Sequence, residues 1–407
     1  MKHFSGLKAL GLIAAVCCSY TGSAQTLQEW NDVSVNSLNR LPARTLDIPM
    51  ASAADAKEAY TPTHALEASP YFLGLNGTWK FQWVADPSQA STAFFEDGFD
   101  ASGWEEIDVP SAWQVYGIRH GKEWDKPLYV NAAYPFTYDG KTWDVMADRP
   151  DWYSYNNKMK NPVGSYRREF MLPEEWKGRD VMLRFNGAGH GYYVGVNGEF
   201  VGYAEDSYLP SEFDITDKLR PGKNNIAVRV YRFTSGSFLE CQDYWRMTGI
   251  TRDVYLWSAP KTRIDDFFFR TTALKDGNSA AESALTVAVS GKKMKKTTVE
   301  AQLLDGSRVL ATQTVPVTAA GEVELTFPTV TGITAWSAED PQLYDLVISL
   351  KQKGKEIDVR ALKVGFRTVG VREDGALLVN GNRVVFHGVN RHSFSEKGGR
   401  TLTKAEI

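Results

Sequence analysis

Between residues 66 and 260 the chain never sustains a helical period; it runs in short alternating segments cut by turn residues. Ile226, Val228 and Val230 alternate with Ala227 and Arg229, the two-residue repeat of a half-buried strand. Tyr193-Val-Gly-Val-Asn197-Gly198-Glu-Phe-Val places Asn-Gly between two strand-like runs. That is the strongest short-range hairpin signal, because both central residues of a type I′ turn need positive φ. Arg220-Pro-Gly-Lys-Asn-Asn225 marks another turn, and Asp214-Ile-Thr reads as a return to strand. Such a segment can bury its apolar faces only by packing sheet on sheet, and the pattern predicts a jelly-roll β-sandwich over residues 66–260.

Around Ala259-Pro260 most of the tryptophan disappears and Val/Thr alternation takes over: Leu285, Val287, Val289; Val323, Leu325, Phe327; Leu346, Ile348, Leu350. About seven strands over roughly 100 residues suit an immunoglobulin-like β-sandwich, assigned to residues 261–370. Lys292, Lys293, Lys295 and Lys296 read as a solvated hairpin turn. From residue 371 the pattern changes again. Leu377 to His392 reads as a hairpin followed by a buried-type strand, and Thr403-Lys-Ala-Glu406 is a capping box that opens a helix. A strand followed by a helix start predicts the first strand of a truncated (β/α)8 barrel, with residues 371–407 an incomplete domain. The expected fold is mostly β. A lone strand and helix cap bury no core, so this tail is expected to exchange its amides fast.

The first 24 residues read as a signal peptide: Lys2 and Lys8 flank an apolar stretch, Ala9–Val16, too short to span a bilayer, and Gly22-Ser23-Ala24 precedes a plausible cut. Soluble export, periplasmic or secreted, is favoured over a lipid anchor, because neither Val16 nor Cys17 sets up the usual small residue before a lipidated cysteine. Cleavage after Ala24 would leave Cys241 as the one thiol and no intrachain disulfide. Residues 25–65 form a polar, proline-marked arm. A formal net charge of −3 gives no electrostatic case for nucleic acid or an anionic membrane surface.

Common catalytic signatures are missing. The sequence has no Walker loop, Gly-x-Ser-x-Gly elbow, His-Glu-x-x-His helix or paired-cysteine zinc spacing. Aromatics cluster instead: eight of the twelve tryptophans lie between Trp79 and Trp176, and the stretch from Tyr134 to Tyr155 carries Phe136, Tyr138, Trp143, Trp152 and Tyr153. Aromatic faces stack on sugar rings, and they also fill sandwich cores. In Glu205-Asp206-Ser-Tyr-Leu-Pro-Ser-Glu-Phe-Asp214, Asp206 reads as a carboxylate at a site mouth or as a turn cap, and spacing alone leaves both open.

Several longer motifs together resemble glycoside hydrolase family 2, of the large bacterial β-galactosidase type. They are Glu29-Trp-Asn with Leu38-Asn-Arg-Leu-Pro; Val109-Pro-Ser-Ala-Trp-Gln114; Tyr129-Val-Asn-Ala-Ala-Tyr-Pro135; and Asn161-Pro-Val-Gly-Ser-Tyr-Arg167. Asp206-Ser-Tyr-Leu-Pro-Ser-Glu-Phe-Asp214, Asp243-Tyr-Trp-Arg-Met-Thr-Gly-Ile-Thr-Arg-Asp253, Trp336-Ser-Ala-Glu-Asp-Pro-Gln-Leu-Tyr344 and Gly388-Val-Asn-Arg-His392 complete the set, in family order. The resemblance implies a sugar-binding jelly roll and three substrate-binding residues: Asn131 reaching from the jelly roll, Asp206 contacting galactose hydroxyls and helping to hold sodium, and His392 supporting the sugar. Residues at the C-terminal ends of barrel strands face the active site, which suits His392. His387, within the preceding strand, reads as structural.

After His392 the sequence runs Ser-Phe-Ser-Glu where close relatives have Glu-His-His-Pro. The resemblance puts the acid/base and nucleophile glutamates beyond Ile407, with the main magnesium ligands, so Mg2+ and Na+ are expected of the full-length enzyme. Glu396 in its loop and Glu406 in its cap are not assigned to those roles. The expected partner is a β-galactoside oligosaccharide or glycan, with no nucleic acid, no membrane span and a possible homo-oligomer. A β-glucuronidase or β-mannosidase of the same domain order, or a non-catalytic carbohydrate-binding protein, stays open. In the leading reading these 407 residues alone turn over no glycoside.

Overall fold

The computed structural model describes residues 27–45, 47–130, 134, 136–138, 143–145, 161–241, 243–292 and 294–407. The first sandwich packs a seven-stranded sheet on a four-stranded one. The larger sheet runs Ser37–Leu38, Glu199–Glu205, Gly191–Val196, Gly222–Tyr231, Val163–Leu172, Gly77–Val84 and Glu105–Val109 across its width, every pair antiparallel. The smaller runs Ser211–Asp214, Asp180–Phe185, Val254–Ala259 and Phe72–Gly74. The Asn-Gly signal is realised: Val196 pairs with Glu199, and Asn197 and Gly198 take φ of 52° and 87°. Ser211–Asp214 is a strand that ends, rather than begins, at Asp214; its carboxylate accepts from the Thr216 amide at 2.9 Å and starts a short 3-10 turn.

Over residues 226–231 the strand Gly222–Tyr231 is buried on both faces, not half-buried as its alternation suggests. Ile226, Val228 and Val230 face the inter-sheet core with Val194, Leu183 and Phe185. Tyr231 on the other face lies under Trp30 of the arm, their rings stacked at 4.9 Å. Arg229 is covered as well, its guanidinium 3.8 Å above the Phe94 ring and bonded to the Ser91 carbonyl. Coverage by the arm and the 86–104 loop, elements distant in sequence, turns a solvent-type pattern into an interior one.

The second sandwich packs Arg263–Lys275, Ala280–Ser290 and Gly321–Thr331 on Arg308–Val317, Thr297–Asp305, Tyr344–Gln352 and Lys355–Val364, seven strands in all. Its core is Val/Leu/Ile-rich with Phe267, Phe327 and Phe366. A run of alternating charges ties the sandwiches through the arm. Glu212 accepts from Arg184 (2.9 Å) and Arg44 (2.9 Å). Arg44 reaches Asp47 (2.5 Å), which also pairs with the fully buried Arg360 (2.5 Å), itself held by Asp358 (3.0 Å). Burial disfavours the Arg360 charge, but Asp358 and Asp47 outweigh it and raise its pKa.

Val369–Val371, Leu377–Val379 and Asn382–Arg383 form a small antiparallel sheet, but residues 384–390 make no ladder. Val385, Phe386 and Val389 are exposed at 60%, 79% and 91%. A strand period encodes which face a strand buries, but a ladder needs flanking strands, and among the described residues none flanks this run. His387 is exposed with it. At the C-terminal end the capping box closes as a turn: the Thr403 amide and hydroxyl both donate to Glu406 Oε2, at 2.9 and 2.8 Å.

Candidate functional site

Residues 391–400 do not share the openness of the run before them; they dock on the first sandwich. Gly399 sits at φ 63° with its α-carbon against Met247 and Val115, where a Cβ would come within 2.5 Å of the Met247 sulfur and 2.9 Å of Val115. The His392 ring stacks on Tyr244 at 4.5 Å, and the Tyr244 hydroxyl donates to the Ser393 carbonyl. Arg400 lies between two aromatic faces, its guanidinium 4.0 Å above Tyr208 and 4.5 Å above Tyr244. Tyr244 pairs with Val130 in a short ladder, the residue before Asn131. Asn131 itself lies outside the described residues, as does most of the aromatic stretch from Tyr134 to Tyr155.

Asp206 follows directly on the strand Glu199–Glu205, in left-handed backbone at φ 84°. A turn-capping aspartate would accept from an amide within the next few residues. Here the Ser207 amide instead donates to Glu240 Oε1 at 2.9 Å, and among the described residues no donor reaches the Asp206 carboxylate. That carboxylate lines a cleft of about 560 Å³ with Arg40, Glu205, Phe238 and Glu240. Burial, then the charge of Glu240, raises its pKa against the pull of Arg40. Among the described residues the Asp206 side chain caps no amide, while its backbone carbonyl accepts from the Leu209 amide at 3.3 Å.

Behind Asp206 lies a network that sequence reasoning missed. Glu240 Oε2 accepts from Ser207 Oγ (2.5 Å) and lies 2.6 Å from His190 Nδ1; His190 Nε2 faces Cys241 Sγ at 3.9 Å. The Tyr208 hydroxyl lies 3.1 Å from that sulfur, and Arg400 Nη1 donates to it at 2.9 Å. Burial works against a charged His190, but the Cys241 sulfur and Glu240 beside it outweigh burial and raise its pKa to about 9. Burial likewise opposes the Glu240 charge, yet His190 and Ser207 hold it below the ordinary glutamate range. The only sequence signal was adjacency: Glu240-Cys241 stands just ahead of the quoted Asp243–Asp253 motif.

This network divides the site residues. Asp206 opens into the cleft on the Glu240 side, whereas His392 opens into a second cleft of about 290 Å³ on the Cys241 side. Glu396 and Glu406 are exposed and line neither cleft. A larger cleft, about 830 Å³, lies elsewhere, on the outer face of the larger sheet. Its charges are largely spent on one another in the pairs Lys80–Glu106, Arg220–Asp97 and Lys223–Glu169, so it offers a ligand little. As to cations, Asp206 offers one carboxylate free of protein donors, which suits a single oxygen ligand of sodium. No group of three or more His, Cys, Asp or Glu among the described residues is placed to hold a metal.

Two β-sandwiches are followed by a small antiparallel sheet and a segment docked on the first sandwich, with a polar cleft between the two. Family models match in that order: "Glycosyl hydrolases family 2, sugar binding domain" over residues 72–260, "Glycosyl hydrolases family 2" over 262–367, and "Glycosyl hydrolases family 2, TIM barrel domain" over 369–407. The chain belongs to glycosyl hydrolase family 2. It is 36% identical to a beta-galactosidase of Priestia megaterium over 400 residues, 95% of this chain and 36% of that one. It is 38% identical to a beta-galactosidase of Clostridium acetobutylicum over 344 residues, 84% of this chain and 36% of the other. The chain thus spans about a third of the length of these relatives. Among solved structures, a beta-glucuronidase of Bacteroides uniformis matches with a TM-score of 0.63 at 23% identity, covering 82% of this chain and 37% of that one. A beta-glycosidase of Bacteroides vulgatus matches at 0.61 and 22%, covering 82% and 38%. These two likenesses establish the shared fold.

Proposed function

We propose that the whole protein is an exported β-galactosidase that hydrolyses terminal β-D-galactosides with retention, and that these residues supply the sugar-facing wall of its active site. The observation that carries this reading is the Asp206 carboxylate, left without a protein donor among the described residues in a cleft between the arm and the first sandwich. A carboxylate in that state is suited to accept hydrogen bonds from sugar hydroxyls. His392, held flat by Tyr244, presents its edge from the barrel side, and Asn131 is assigned to the same sugar. Sodium, when bound, would place a positive charge at Asp206 and fix its orientation. The Asp206 carboxylate and His392 imidazole bind and orient; neither is asked to transfer a proton.

Retention needs two carboxyl groups roughly 5–5.5 Å apart across the glycosidic bond. Asp206 and His392, on opposite sides of the Glu240–Cys241 backbone, do not form such a pair. The chemistry is therefore assigned to barrel carboxylates outside these 407 residues, and the chain alone is expected to give only background hydrolysis. The names of relatives at 36–38% identity favour galactose over glucuronate. The test is hydrolysis of chromogenic β-galactoside, β-glucuronide and β-mannoside by the protein carried through its barrel. Preference for the galactoside supports the proposal; preference for either other glycoside refutes it.

A further inference from the structure

The cleft that holds His392 is lined by Arg252, Arg391 and Arg400 and, among the described residues, by no carboxylate. Among the described residues none of the three guanidinium groups forms an ion pair. Arg252 donates to the Tyr208 carbonyl (2.7 Å), Arg400 to the Cys241 sulfur (2.9 Å), and Arg391 projects exposed. Arg44, Arg184 and Arg360 in the interior pair with carboxylates, whereas Arg400, like Arg229, has no carboxylate partner among the described residues. Wedged between Tyr208 and Tyr244, Arg400 is pulled down to about 9 by burial. The contrast with the Asp206 cleft, where Glu205, Asp206 and Glu240 face one arginine, is sharp.

We infer that this cleft is a subsite for an oxyanion carried on the glycan, a sulfate ester or a uronate, held by Arg252, Arg391 and Arg400 beside the sugar that His392 supports. This deepens, and rests on, the galactoside reading of His392. Guanidinium forks suit planar or tetrahedral oxyanions because they donate two parallel hydrogen bonds. The cleft has room for one substituent or a small sugar, and it is open to solvent at Arg391 and His392.

The test titrates the 407-residue chain, by calorimetry, with methyl β-galactoside 6-sulfate, methyl β-galactoside and inorganic sulfate. A second readout is alkylation of Cys241 in a Cys17→Ser, Cys18→Ser background, since that thiol faces the cleft. The sulfated sugar should bind at least tenfold more tightly than its parent, lose affinity with added salt and slow Cys241 alkylation. Arg391→Gln, which removes no packing contact, should bring the sulfated-to-unsulfated affinity ratio several-fold closer to one. A ratio near one in the unmutated chain, with the parent still bound, overturns the oxyanion subsite and leaves the galactoside reading standing. A sulfated sugar bound no better than inorganic sulfate, with the parent unbound, overturns the glycan-borne assignment and the galactoside reading together. An Arg391→Gln ratio equal to that of the unmutated chain also overturns the subsite.

Discussion

His392 lies flat on Tyr244, ring centroids 4.5 Å apart and planes 16° apart, and the Tyr244 hydroxyl holds the next backbone carbonyl, that of Ser393. One tyrosine of the first sandwich thus positions the imidazole that enters from the barrel side. Tyr244→Phe keeps the stack and removes one hydrogen bond, worth about 0.5–1.5 kcal/mol. Amide exchange in residues 391–400 is expected to rise several-fold, while residues 384–390 exchange fast in both proteins. Equal exchange across the two segments in the unmutated chain would contradict the docking.

The buried pair at His190 and Glu240 gives stability a defined pH dependence. His190 is raised from 6.5 to about 9, so its contribution is complete below 6.5 and is lost as pH climbs through about 9. Glu240 is lowered, so its contribution is lost as pH falls below its ordinary range. Asp206, Ser207, Tyr208, Cys241, Arg246 and Arg400 are polar or charged groups around the pair. Thermal melting should therefore decline from pH 6.5 towards 9.5, and Glu240→Gln should flatten that limb. A melting temperature still rising over this interval would count against the assignment.

Asp47 holds Arg44 and Arg360 at once. Asp47→Ala leaves a fully buried guanidinium with one carboxylate, Asp358, beside the Ile264 carbonyl, and breaking such a pair typically costs about 3–5 kcal/mol. Urea unfolding should lose that much, with faster exchange in residues 44–50. A loss below about 1 kcal/mol, the worth of an exposed pair, would mean the arm is not what joins the sandwiches.

Legibility in the sequence followed locality. The Asn197-Gly198 hairpin and the second sandwich's seven strands were read from neighbouring residues, because turn chemistry and side-chain period are local properties. The double burial of residues 226–231 was not, because Trp30 and the 86–104 loop arrive from far along the chain. Residues 384–390 carry a strand's pattern without a ladder, since pattern encodes a face and not a partner. The tail was expected to stay loose throughout, yet 391–400 packs on Tyr244 and Met247, a contact between segments some 150 residues apart. Asp206 and His392 were found through motif resemblance. The His190–Glu240–Cys241–Arg400 network was not found, because it joins three segments whose residues look ordinary one at a time.

The account turns most directly on Asp206→Asn, made in the protein carried through its barrel. Asparagine keeps the shape and tolerates the left-handed backbone at φ 84°, so only the charge is lost. Loss of a charged hydrogen bond to a sugar hydroxyl should lower kcat/KM for a β-galactoside by roughly ten- to a hundred-fold, about 1.5–3 kcal/mol, and weaken any dependence on sodium. The melting temperature should stay within about 2 °C, because no amide among the described residues relies on that carboxylate. Normal kinetics with intact sodium dependence and a lowered melting temperature would contradict the site and return Asp206 to the role of a turn residue.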